Sequence, residues 1–168
     1  MAKTPTKTIN ITKETMKKNK KLALVASSGG HLSQLYLLKE TWSEYDRFWV
    51  SFDKEDANAL LKDEKLYHCY YPTNRNVKNT IKNTWLALKL LIKEKPDVII
   101  STGAAIAVPF FYIGKLFGCK TIYVEIFDRI DTPTMTGKLV QPVATKTLVQ
   151  WESMKKVYPK SENIGGIF

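Results

Sequence analysis

Residues 21–31 read KLALVASSGGH, and the fold follows from how this stretch is parsed. Lys21–Ala26 is a short, almost wholly apolar run, the pattern of a strand buried on both faces. Ser27-Ser28-Gly29-Gly30 then makes a turn, and Leu32–Thr41 carries apolar residues at helical spacing. A buried strand, a glycine turn and a helix form the opening unit of a parallel α/β sheet.

Outward from this unit the alternation repeats. Arg47–Phe52 (RFWVSF) reads as a second strand, Glu55–Lys65 as a helix and Tyr67–Tyr71 as a third strand. Val77–Lys95 is the longest expected helix, and Pro96 stops it because proline cannot continue the hydrogen-bond ladder. Asp97–Ser101 is a fourth strand, and Ala104–Phe117 an apolar helix closed by Gly118. Lys120–Glu125 is a fifth strand, Thr134–Val140 a short helix and Thr145–Gln150 a sixth strand. Strands separated by helices pair in parallel through right-handed crossovers. The expectation is a Rossmann-like parallel sheet with helices on both faces, spanning residues 21–168, preceded by a basic tail over residues 1–20.

The 168 residues suffice for one core, and their net charge of +10 is unevenly placed. Residues 1–21 hold seven lysines against Glu14. Residues 74–95 hold Arg75, Lys78, Lys82, Lys89, Lys93 and Lys95 against Glu94, so the basicity belongs to two segments. Such patches attract nucleic acid or anionic lipid. A recognisable nucleic-acid reading element is absent, so the expectation is an anionic membrane surface and no nucleic acid. No run approaches the ~18 apolar residues that span a bilayer. The N-terminal lysines precede no apolar core of a secretory signal. Cys69 and Cys119 fall in apolar runs as reduced, buried thiols, and no metal-ligand spacing occurs.

In open α/β sheets, ligands sit beyond the carboxyl ends of the strands, which selects three segments. Ser28-Gly29-Gly30-His31 follows the first strand. Its glycines let the backbone approach a ligand, and the helix after it begins with unpaired amides, a setting for a diphosphate. It is not the GxGxxG dinucleotide fingerprint. His31 stands where an imidazole could take a proton from an attacking hydroxyl or donate to a phosphate, although a helix-capping role remains open. Thr102-Gly103 repeats the strand–glycine–helix geometry after the fourth strand, and two such turns could converge on one anion. Each also reads as a purely structural turn. Glu125, ending the fifth strand, is a carboxylate that desolvation penalises unless it has a partner or a task. Asp128 and Arg129 follow it, and a local salt-bridge network is the competing reading.

On the long helix, steps of about 100° per residue put Lys78, Lys82, Lys89 and Lys93 on one stripe. Val77, Ile81, Trp85, Leu88 and Ile92 border it on one side, Leu86 and Leu90 on the other. A helix on an α/β sheet needs one apolar face. The second, with Lys78, Lys82, Trp85 and Lys89 at its centre, suits a membrane surface; a buried helix with snorkelling lysines is the alternative.

Five spaced motifs then carry a family resemblance: Ser28–Leu32 (SGGHL), Asp97–Gly103 (DVIISTG), Ile122–Glu125 (IYVE), Thr136–Leu139 (TGKL) and Val149–Glu152 (VQWE). The closing Asn163–Phe168 (NIGGIF) fits the same pattern. Residues 20–168 thus resemble the PssD/CpsF group of bacterial exopolysaccharide and capsule proteins. They are similar also to the membrane-anchoring subunit of the eukaryotic dolichol-linked GlcNAc transferase and, more distantly, to MurG. The resemblance implies the N-terminal, acceptor-binding half of a GT-B glycosyltransferase. It implies a polyprenyl-diphosphate-linked sugar as acceptor, a UDP-sugar bound by a separate PssE/CpsG-like subunit, and no cofactor in this chain. It places Gly29, Gly30 and Gly103 in the acceptor-diphosphate loops, where Ser28 and Thr102 are expected beside them, and His31 and Glu125 as the polar groups nearest the reaction, hence the expected catalytic residues. Asp128 and Arg129 fall at the acceptor sugar or the subunit interface. The implied location is peripheral, on the cytoplasmic face of the plasma membrane. A non-catalytic scaffold that stimulates a partner transferase is the alternative. Ala104-Ala105 departs from MurG, where a second glycine and a tyrosine are expected.

Overall fold

The computed structural model describes residues 20–73 and 76–167. The basic tail therefore lies outside the described residues, except for Lys20. The strands are β1 (Lys21–Val25), β2 (Asp46–Phe52), β3 (Leu66–Cys69), β4 (Val98–Ser101), β5 (Lys120–Val124), β6 (Lys146–Val149) and β7 (Glu162–Asn163). The helices are α1 (Gly30–Leu37), α2 (Lys39–Trp42), α3 (Glu55–Leu60), α4 (Val77–Glu94), α5 (Ala107–Leu116) and α6 (Met135–Val140), with a 3-10 turn over Glu152–Lys156. All strands pair in parallel, in the order β3-β2-β1-β4-β5-β6-β7. The chain winds outward from β1 in one direction, then returns to place β4 on β1's other side. The switch point between β1 and β4 opens a crevice at the carboxyl edge.

Alternation along the strands divides the core into two layers. Leu22, Leu24, Trp49, Ile100, Ile122 and Val124 face α1–α3. Ala23, Val25, Phe48, Val50, Ile99 and Tyr123 face α4–α6. Full burial of each large side chain contributes about 1.5–3 kcal/mol. Trp42 and Trp49 stack edge to face with centroids 5.1 Å apart, closing the first layer.

The structure departs from the sequence expectation where side chains compete for backbone groups. The helix expected over Leu32–Thr41 begins at Gly30 and breaks at Leu38. Leu35's carbonyl, which a continuous helix would give to residue 39, instead accepts the Leu38 amide (3.3 Å) and the Trp42 indole N–H (3.0 Å). α3 ends at Leu60 rather than Lys65, which frees Glu64 to pair with Arg47 (2.7 Å) and Lys65 to pair with Glu94 (2.9 Å). α5 starts at Ala107 because Gly103 (φ 115°) and Ala104 (φ 67°) are left-handed and cannot belong to a helix. β7 was not expected; Glu162 is held beside β6 by an ion pair with Lys146 (2.7 Å).

The long helix α4 is capped by Asn76, which accepts the Asn79 amide at 3.0 Å, and ends at a left-handed Lys95 before Pro96. Leu90, Leu91, Ala87 and Asn83 turn toward the sheet. Val77, Ile81, Trp85 and Ile92 turn outward and are 74%, 65%, 69% and 56% exposed. Among the described residues no helix is long and apolar enough to cross a membrane.

Candidate functional site

The two glycine turns meet at the switch point. Thr102, just past β4, donates its hydroxyl to the His31 carbonyl at 2.6 Å, and its own carbonyl lies 2.8 Å from His31 Nδ1. A carbonyl can only accept, so Nδ1 carries the proton and a neutral ring keeps its lone pair on Nε2. His31, the second residue of α1, is thereby clamped to the neighbouring loop in the tautomer a general base requires. Gly103 makes room for it: a Cβ there would stand 3.1 Å from the His31 ring and 3.3 Å from the Tyr123 hydroxyl.

His31 lines a cleft of about 760 Å³ at the carboxyl edge. Ser27, Phe52 and Thr73 come from the ends of β1, β2 and β3, Ala104 and Ala105 from the β4–α5 turn, and Ile126, Arg129, Thr134, Met135, Thr136 and Leu139 from the segment after β5 and from α6. Among the described residues no carboxylate lines it, and Arg129 is the one permanently charged group in its lining. Arg129 Nε is buried and has no hydrogen-bond partner among the described residues.

Glu125 occupies a different place from the one expected of a group at the reaction. It is wholly buried behind the cleft wall, and its carboxylate is filled by donors. Oε1 accepts from the Tyr123 hydroxyl (3.0 Å) and the Ile126 amide (3.2 Å). Oε2 accepts from the Tyr158 hydroxyl (2.9 Å) and from the Thr134 amide and hydroxyl (3.1 and 3.3 Å). Burial and the adjacent carboxylate push both phenols well above the ordinary tyrosine range, so they remain donors at any physiological pH. A Cβ on Gly137 would come within 2.2 Å of the Tyr158 oxygen and 2.6 Å of Glu125 Oε2, so this network also requires a glycine there. Glu125 ties β5 to the loop that carries Arg129 and to the start of α6. The apolar run before it signalled burial, but the phenol from residue 158 had no sequence signal.

The other expected residues separate. Ser28, Gly29 and Gly30 sit at the rim, outside the cleft lining. Gly29 N–H already donates to Asp56 in the first turn of α3 at 2.6 Å, and Gly103 N–H to Ser101 Oγ at 3.0 Å. Asp128 is exposed and outside the cleft, whereas Arg129 lines it. Gln34 and Gln150, which had no expected site role, brace the segment that follows β5. Gln150 donates to Gln34 (3.0 Å) and to the Glu125 carbonyl (3.0 Å), and Gln34 accepts the Phe127 amide (2.9 Å). Among the described residues no group of His, Cys, Asp and Glu is placed to hold a metal ion. Lys78, Lys82, Trp85 and Lys89 are all exposed on α4, with the Lys82 ammonium 4.9 Å above the Tyr70 ring.

A parallel sheet in this strand order, with its crevice at the β1/β4 switch point, has the Rossmann-like fold of a GT-B glycosyltransferase domain. The fold superposes on MurG from Acinetobacter baumannii with a TM-score of 0.67 over 80% of this chain and 42% of that one, at 18% identity. UDP-GlcNAc 2-epimerase from Methanocaldococcus jannaschii gives 0.61 over 81% and 41%, also at 18% identity. The chain belongs to the family described as oligosaccharide biosynthesis protein Alg14 like, whose model matches residues 22–167. It is 30% identical to the human UDP-N-acetylglucosamine transferase subunit ALG14, over 87% of this chain and 82% of the human one. It is 27% identical to the Candida albicans subunit of the same name, over 89% and 82%.

Proposed function

We propose that this chain is the acceptor-binding, membrane-associated subunit of a two-component glycosyltransferase. The observation that carries the reading is the clamped His31 at the edge of a cleft whose described lining holds one cation, Arg129, and no carboxylate. The relatives are named as subunits of a UDP-N-acetylglucosamine transferase, which makes UDP-GlcNAc the first donor to try. In this reading the acceptor is a polyprenyl-diphosphate-linked sugar, and the donor lies on a separate, PssE/CpsG-like subunit docked over the carboxyl edge. The product feeds capsule or exopolysaccharide assembly at the cytoplasmic face of the plasma membrane, as the resemblance to the PssD/CpsF group suggests.

His31 Nε2 takes the proton of the acceptor hydroxyl as that oxygen attacks the anomeric carbon from the face opposite the leaving UDP, inverting the configuration. Thr102 fixes the ring and its tautomer. Glu125, with no free lone pair directed at the cleft, holds the loop and helix that wall it. The exposed apolar flank of α4 and its lysines lie against anionic headgroups, with Trp85 at the interface. The test is sugar transfer by the chain co-expressed with a donor subunit, assayed on a lipid-diphosphate sugar with a panel of UDP-sugars. Transfer should need both chains, and His31→Ala should abolish it. A donor subunit that transfers alone, and is only stimulated by this chain with or without His31, would instead establish the scaffold reading.

A further inference from the structure

The expected diphosphate holders are largely committed elsewhere. Gly29 N–H is bound by the Asp56 carboxylate, which also sets a negative charge beside the Gly29-Gly30 turn, and Gly103 N–H is bound by Ser101. An anion approaching the glycine rim would have to displace a carboxylate. Inside the cleft the position is reversed. Arg129 lines the same cleft as His31, and among the described residues its Nε is buried without a partner and no acidic side chain lines the space. A guanidinium N–H taken out of water without an acceptor is unfavourable unless a ligand completes it. Its planar fork matches the paired oxygens of a phosphate or diphosphate in a way a lysine does not. The loop holding it is fixed at both ends, by the Arg129 amide bonding the Ile126 carbonyl (3.1 Å) and by Glu125 bonding Ile126 and Thr134.

We infer that Arg129, and not the glycine turn at Gly29-Gly30, is the group that binds the diphosphate of a substrate in the cleft that His31 also lines. The inference deepens the acceptor-subunit reading and rests on it for the identity of that substrate. Two sources share the chemistry: the lipid acceptor and the nucleotide donor. Met135 and Leu139, which line the same cleft and are exposed, give an isoprenoid chain an apolar exit, so the lipid is favoured.

The experiment titrates the isolated chain with inorganic pyrophosphate by NMR or calorimetry. Wild type should bind. Arg129→Ala should weaken binding by at least about tenfold, as expected for a charge-assisted bidentate contact, and Arg129→Lys should fall between. Lys138→Ala, on the outer side of α6, should bind as wild type does. Geranyl diphosphate should displace pyrophosphate; displacement by UDP alone would keep the Arg129 site and assign it to the donor. Equal affinity in wild type, Arg129→Ala and Arg129→Lys, with folding verified by circular dichroism, would overturn the inference, as would absence of wild-type binding. The inference and the underlying reading fail separately. Loss of pyrophosphate binding in Arg129→Ala with no transfer by the wild-type pair rejects the transferase reading alone. Transfer by the pair with an unchanged acceptor KM in Arg129→Ala rejects the inference alone.

Discussion

At the scale of single residues, the proposed mechanism turns on one histidine and on the backbone that makes room for it. Gly103 combines a left-handed φ with a Cβ position in contact with the His31 ring. Gly103→Ala should therefore cost about 1–3 kcal/mol in backbone strain. It should also reduce kcat of the reconstituted pair more than the stability loss explains, because the ring must shift off the Thr102 carbonyl. Urea unfolding and single-turnover kinetics on the same preparation measure the two effects; unchanged kcat would show that the clamp is dispensable. The histidine and both glycine turns were legible in the sequence because strand–glycine–helix geometry is local. The role of Glu125 was not. Its environment is made by Tyr158, which is 33 residues away along the chain and meets it only through tertiary packing. The engagement of Gly29 by Asp56 was hidden for the same reason.

At the scale of elements, α4 shows how far periodicity can be trusted. The angular arithmetic foresaw an apolar flank on each side of the lysine stripe, and the structure buries Leu90 and Ala87 while leaving Trp85 and Ile81 exposed. If that outer flank meets lipid, replacing Lys78, Lys82 and Lys89 together by alanine should weaken binding to anionic vesicles by roughly 3 kcal/mol, about a hundredfold. Ile81→Glu with Trp85→Glu should abolish binding at any ionic strength. Co-sedimentation with phosphatidylglycerol vesicles is the measurement, and retention of both variants would remove α4 from the membrane reading. The six expected strands lie within two residues of their expected bounds and β7 was not expected; α4 and α6 match to a residue, whereas the break after α1, the end of α3 and the start of α5 do not. The break at Leu38 and the late start of α5 depend on which side chain claims a carbonyl and on two left-handed residues, only one of them glycine.

At the scale of the whole molecule, the end of α4 is locked to the sheet by a buried carboxylate. Glu94 lies 2.7 Å from Lys21 and 2.9 Å from Lys65, and also accepts the Tyr67 hydroxyl. Burial alone would raise its pKa; the bonds from Lys21, Tyr67 and Lys65 outweigh that and hold it at about 2, against an ordinary 4.5. A carboxyl held below its unfolded value stabilises the fold fully above that unfolded value and loses the contribution as pH falls toward the folded one. Unfolding free energy should decline between about pH 4.5 and 2, and Glu94→Gln should flatten that decline while lowering stability at neutral pH. A wild-type slope unchanged in the variant would assign the acid sensitivity elsewhere. The same lock fixes a direction in space. α4 runs back across the sheet from the cleft edge to the edge where β1 begins, and its 18 residues extend about 27 Å. Laid flat on a bilayer along that length, it would hold the strands level with the surface. The cleft beside His31 would then open sideways at headgroup height, so that a substrate diffusing within the leaflet could enter without leaving it.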